Sequence, residues 1–204
     1  SIPVIIKFRN RRGQPLFLSG KTSQKINMSI EGSMRMNKTE ALQYLDSQQD
    51  FLFHTSDSIW DNPETDYHEE KSSAILKNAL TEAGFTVQSG LAGIPTAFSG
   101  SYGSGKPVIG FLGEFDALSG LSQEAGITEK KPIAEGGNGH GCGHNLLGTG
   151  SLAAAIAVKK YLEDSGKPGT VIFFGCPAEE GGSGKAFMAK AGVFDGVDIA
   201  LSWY

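Results

Sequence analysis

Residues 108–116 read VIGFLGEFD. Val108 to Gly113 form a short, nearly unbroken apolar run, and two carboxylates, Glu114 and Asp116, follow at once. A strand with one face in water would alternate apolar and polar side chains, so a continuous run of this length predicts a strand buried on both faces. Residues 171–180, VIFFGCPAEE, repeat the arrangement: a buried strand over Val171 to Gly175, then Cys176-Pro177-Ala178, then the acids Glu179 and Glu180. Between the two strands, His144 to Asp164 carries Leu146, Leu152, Ala155, Ile156 and Val158 at helical spacing. Strand, helix and strand in that order predict an α/β fold.

Working outward, Lys38 to about Trp60 predicts a helix with Leu42, Leu45, Phe51 and Phe53 among its apolar positions, stopped by Asn62-Pro63. A second helix is predicted from about Glu69 to Ala83, with Gly84 as its stop. Phe85 to Gln88, Thr96 to Ser99 and Val197 to Trp203 read as strands, and Gly184 to Ala191 as a short helix. Ala117 to Gly143 is far longer than an ordinary connection, which marks it as functional or disordered. The expected fold class is α/β: a mixed, largely parallel sheet with helices on both faces.

The chain has 204 residues, 39% hydrophobic and 20% charged, enough for one domain with a real core. Its net charge of −4 is uneven. In residues 1–37, Lys7, Arg9, Arg11, Arg12, Lys21, Lys25 and Arg35 face only Glu31, and the remainder is acidic. Nucleic acid is therefore not expected as a partner of the body. No apolar run approaches the roughly 20 residues of a membrane span. Two cysteines make no disulfide framework. Residues 1–37 are set apart as a basic arm, leader or added extension, and residues 38–204 as the catalytic part.

Gly100-Ser-Tyr-Gly-Ser-Gly-Lys106 fits the first seven positions of a phosphate-binding loop. The next residue is Pro107, with no Ser or Thr for magnesium, and a strand follows where the motif needs a helix. A turn between two antiparallel strands explains these glycines with less.

Residues 140–145, HGCGHN, hold half of the four histidines and one cysteine. In an extended backbone His140, Cys142 and His144 would point to one side, a comb of the nitrogen and sulfur donors that borderline metals prefer. Ligand sites in open α/β sheets lie beyond the carboxyl ends of the strands. Glu114 with Asp116, Glu179 with Glu180, and the HGCGHN loop should all emerge there. In an extended segment the side chains of Glu179 and Glu180 diverge, so one could hold a metal while the other collects a proton from water. A bound metal lowers the pKa of water from about 15.7 to near 7, which suits hydrolysis of an unreactive carbonyl bond. No Gly-x-Ser-x-Gly elbow points to a serine nucleophile.

GEFDALSGLSQEAG (113–126), GHGCGHNLLGTGSLAAAIA (139–157), GCPAEEGGSGKAFMA (175–189) and DIALSW (198–203) together resemble the p-aminobenzoyl-glutamate hydrolase branch of the dinuclear-metal amidohydrolase and peptidase family. That family also includes indole-acetyl-amino-acid hydrolases, aminoacylases and carboxypeptidase G. The resemblance runs from about Lys38 to Trp203. It implies two divalent ions, zinc or manganese, with Cys142, His144 and Glu180 as ligands and Glu179 as general base. Asp116 would orient a ligand, Glu114 has a less defined supporting role, and His140 would stand behind the ligands. The implied substrate is a small N-acyl amino acid, and the implied parent is a homodimeric, cytoplasmic enzyme.

The chain departs from the branch where Ser119 replaces a proline and where Tyr204 stands in place of a metal-binding histidine. Members are roughly twice as long, with a dimerisation domain and a later catalytic segment. The expectation is therefore the N-terminal part of a metallopeptidase-like catalytic domain, inactive alone. Two other readings use the same residues: a metal-independent hydrolase with Cys142 as nucleophile beside His144, and a non-catalytic metal-binding or interaction fragment.

Overall fold

A computed structural model of the chain describes residues 38–203; the basic arm and Tyr204 lie outside the described residues. The two apolar runs are adjacent, parallel strands. Residues Val108–Glu114 form β3 and Gly169–Cys176 form β4, paired in register from Val108↔Thr170 to Glu114↔Cys176. Phe111 and Phe173 enter one core, while Leu112 and Phe174 enter another on the opposite face. Successive strand residues point to opposite faces, so a sheet covered on both sides needs apolar residues at every position. This is why neither run alternates.

The sheet has five strands in the order β1-β2-β4-β3-β5, with β1 at Thr86–Ser89, β2 at Phe98–Ser104 and β5 at Ile199–Leu201. Pairings β3–β4 and β3–β5 are parallel, whereas β1–β2 and β2–β4 are antiparallel. The sheet is thus mixed, with its parallel half around the acidic motifs. Strand β4 lies between β2 and β3, so the turn at Gly105–Pro107 joins strands that run oppositely without pairing. That corrects the simple hairpin expected there. The glycines serve β2 itself: a Cβ on Gly103 would lie 2.4 Å from the carbonyl oxygen of Gly169 on the partner strand.

Helices α2 (Gln49–Trp60), α3 (Glu70–Glu82) and α4 (His144–Ser165) cover one face. Their core joins Ile59, Leu76, Leu80 and Leu152 to Phe98, Phe111 and Phe173 of the sheet. On the other face, Met188 of α5 (Gly184–Lys190) packs with Ala97, Leu112, Phe174 and Cys176. The single helix expected over 38–60 is two, α1 (Lys38–Ser47) and α2, separated at Gln48 with φ −100° and ψ 5°. The Ser47 hydroxyl donates to the Tyr44 carbonyl at 2.6 Å, a local bond that competes with helix continuation. Leu42, Phe53 and Leu146, all at apolar positions of the sequence pattern, are exposed.

The long connection from β3 to α4 folds back on itself. Leu118 and Gly139 form a bridge, and the Ser122 and Glu124 N–H groups donate to the carbonyls of Gly137 and Lys131 at 2.9 Å. This returns the chain to the carboxyl end of β3 just before α4 begins. Helix and strand then approach very closely: a Cβ on Gly148 would lie 2.3 Å from the Glu114 carbonyl oxygen. Glycine there lets the first turn of α4 sit against the end of β3. Among the described residues no helix is long and apolar enough to cross a membrane.

Candidate metal centre

His144 is the first residue of α4 and is fully buried, with 0% exposure. Its Nδ1 lies 2.9 Å from Oδ1 of Asp116 and 3.0 Å from the Asp116 carbonyl oxygen. A carboxylate only accepts, so Nδ1 carries the proton and Nε2 presents its lone pair. That Nε2 faces Glu114 Oε2 at 3.2 Å, and Glu179 Oε2 and Glu180 Oε1 at 3.8 Å each. The second oxygen of Asp116 accepts the Glu180 N–H at 3.0 Å. One buried aspartate therefore holds both the imidazole and the backbone of the facing glutamate.

Ligand atoms of Cys142, His144 and Glu180 lie within 4.8 Å of one another, and so do those of Glu114, His144 and Glu179. His144 Nε2, Glu114 Oε2 and Glu180 Oε1 are buried without a hydrogen-bond partner. Unpaired buried polar atoms are costly, and three converging on one point are what a cation would satisfy. The sulfur, nitrogen and carboxylate donors suit a borderline divalent ion such as zinc, so the residues present fit a metal.

The electrostatics follow from crowding. Burial opposes a charge on His144, but the Asp116 hydrogen bond and the charges of Asp116, Glu114 and Glu180 outweigh it and raise its pKa. Burial, then the Glu114 charge, lifts the Glu179 carboxyl above the usual range, against the pull of Lys185 and His144. The Lys185 ammonium, on the first turn of α5, donates to Glu114 Oε1 and offsets part of the negative charge. The other cysteine, Cys176, is inert by contrast: burial pushes its thiol up to about 12.

Two expectations about local geometry are corrected. The extended comb at 140–144 is a turn, closed by the Gly143 N–H donating to the His140 carbonyl at 3.2 Å, with Gly143 at φ 80°. His140 consequently lies outside both donor clusters. Its Nε2 is 3.1 Å from the Ile59 carbonyl oxygen and its ring stacks on Trp60, with centroids 6.3 Å apart. Glu179 and Glu180 do not diverge, because the segment is a turn with Ala178 at φ 52°, and both carboxylates face His144.

Three neighbours were not singled out by the sequence: Lys185, Glu69 and Tyr67. Lys185 follows the glycines after Glu180, a spacing that puts it near the acids only once the turn is known. Glu69 reads as an ordinary acid at a helix start, yet its Oε1 accepts the Ala178 N–H at 2.8 Å.

Comparison with known proteins agrees with this geometry. Residues 110–203 match the model of peptidase family M20/M25/M40. The chain is 60% identical over 149 residues to a p-aminobenzoyl-glutamate hydrolase chain of Escherichia coli (strain K12), covering 73% of this chain and 31% of that protein. It is 30% identical over 186 residues to the Xaa-Arg dipeptidase of Mus musculus, covering 85% of this chain and 39% of the relative. The chain thus spans about a third of the length of these curated relatives. Among solved structures, the Bacillus subtilis YXEP protein, a dinuclear metal binding peptidase from M20 family, superposes with TM-score 0.57 at 23% identity, over 73% of this chain and 41% of that one. The aminobenzoyl-glutamate utilization protein from Klebsiella pneumoniae gives TM-score 0.57 at 18% identity, over 78% and 44%. Both likenesses are of fold.

Proposed function

We propose, for a chain that carries the pattern of peptidase family M20/M25/M40 over residues 110–203, that the full-length protein hydrolyses the amide bond between an aromatic acyl group and an amino acid, as in p-aminobenzoyl-glutamate. The observation that carries this reading is the meeting of Cys142, His144 and Glu180 donors beside a second acidic group, Glu114 with Glu179.

Cys142, His144 and Glu180 would hold one divalent ion, zinc or manganese, and Glu114 and Glu179 border the place of a second. Such ions, when bound, polarise a carbonyl and acidify water. The remaining work falls to the chain. Asp116 keeps the proton on Nδ1 of His144, leaving Nε2 as a donor. Glu179, whose pKa is lifted toward the working range, takes the proton of the attacking water and passes it to the leaving nitrogen. The family resemblance is what supports a homodimeric parent located in the cytoplasm.

The thiol alternative is disfavoured by the surroundings of Cys142: nucleophilic cysteines sit in electropositive sites, and this one adjoins several carboxylates. To test the reading, the full-length protein is assayed on p-aminobenzoyl-glutamate before and after chelation. Turnover should vanish with the metal and return with zinc or manganese, and elemental analysis should find about two ions per protomer. The 204-residue chain alone should be far slower. Turnover that survives chelation but not thiol alkylation assigns the chemistry to Cys142 instead; bound metal without turnover in the full-length protein assigns a non-catalytic role.

A further inference from the structure

Glu69 is fully buried, at 0% exposure, immediately before α3. An acid there ordinarily caps the helix, but the Glu69 side chain makes no capping hydrogen bond. Its carboxylate reaches across the fold instead. Oε1 accepts the Ala178 N–H at 2.8 Å and the Tyr67 N–H at 3.1 Å. Oε2 makes no hydrogen bond of good geometry, and the Thr96 hydroxyl beside the carboxyl helps to stabilise its charge.

The group it holds is the residue before the two glutamates. Ala178 is fully buried at φ 52°, a conformation unfavourable for a residue with a Cβ and sustained only when its surroundings impose it. From the other side, the Gly182 N–H donates to the Ala178 carbonyl at 3.1 Å. The Tyr67 hydroxyl donates to the Gly182 carbonyl, and a Cβ on Gly182 would lie 2.5 Å from the Tyr67 ring. Asp66 lies against Gly181, where a Cβ would come within 2.9 Å of its carboxylate. Residues 66–69 thus bracket the turn that aims Glu179 and Glu180 at His144.

We propose that Glu69, assisted by Tyr67, is a positioning residue: a buried clasp on the 178–182 turn that holds the Glu179 and Glu180 carboxylates in working register. This rests on the hydrolytic reading above and adds to it a residue outside the donor set. A charged acceptor suits the task, since one carboxylate oxygen binds two N–H groups more strongly than a neutral one.

The test uses the full-length protein with Glu69→Ala, Glu69→Gln and Tyr67→Phe, read by steady-state kinetics and by amide hydrogen exchange of residues 176–184. Glu69→Ala should lower kcat at least about 30-fold with KM within about threefold, and should speed exchange of that segment. Glu69→Gln, which keeps an acceptor oxygen, should recover kcat to within about fivefold. Wild-type kcat and exchange in folded Glu69→Ala overturn the clasp, as does lost activity that only tracks lost folded protein. If Glu69→Ala does not fold, Tyr67→Phe decides: at least about a threefold fall in kcat with faster exchange supports the clasp, and no change in either overturns it. A wild-type protein without hydrolysis would overturn the hydrolytic reading separately, and the exchange of 176–184 in the Glu69 variants would still decide whether the clasp exists.

Discussion

Oδ1 of Asp116 lies 2.9 Å from Nδ1 of His144, with both side chains sealed from solvent, and Oδ2 of the same carboxylate takes the Glu180 N–H at 3.0 Å. Asp116→Asn keeps the shape but replaces one acceptor with a donor, so one of these two contacts becomes donor against donor. Loss of such a supporting contact should weaken divalent metal binding about 10–100-fold. Competition against a chelating dye would measure it, and unchanged affinity would show that Asp116 does not hold the imidazole for a metal.

Glu179 and Glu180 face the same imidazole nitrogen at equal distance, 3.8 Å, yet are assigned different work. Glu179→Ala should lower kcat at least about 10²-fold while metal content is kept. Glu180→Ala should lose metal. The opposite pattern in elemental analysis would exchange the two assignments.

Burial raises the pKa of Glu69, against the stabilising hydrogen bonds it accepts. A carboxyl whose folded pKa lies above its unfolded one binds more protons when folded, so its contribution to stability is complete below about 4.3 and is lost as pH rises through the folded value. Wild type should therefore gain stability relative to Glu69→Gln as pH is lowered from neutral toward that range. Urea midpoints of both proteins across the interval would measure that gain; parallel curves would refute the shift.

Gly175 in β4 has no room for a side chain: a Cβ there would lie 2.2 Å from Cε1 of Phe98, which is itself fully buried. Gly175→Ala should destabilise the fold by roughly 1–3 kcal/mol through overpacking. Equilibrium unfolding that shows no loss would mean the Phe98 ring is not where the structure places it.

The elements closest to the chemistry were legible because their signals are local. An unbroken apolar run over 108–113 can be read without knowing its neighbours, and so can acids placed directly after it; the structure sets Glu114 opposite Cys176 in the parallel register those runs require. The start of α4 at His144 was legible for the same reason, since glycine and then apolar spacing mark it within a few residues. What failed also failed locally. Treating 140–144 and 178–180 as extended chain put side chains on the wrong sides, because turns at Gly143 and Ala178 reset the direction.

By itself, then, the sequence determined the two buried strands, the helix between them and the acids and HGCGHN donors at one end of the sheet, since periodicity and chain order require nothing beyond adjacent residues. Only the tertiary structure decided that β4 lies between β2 and β3, that His140 turns to Ile59 while His144 turns to Asp116, and that Glu69 reaches Ala178 across 109 positions of chain. The reason is physical: a buried polar group must find a partner, and which partner it finds depends on the segments that the packed sheet brings beside it, a relation no local pattern contains.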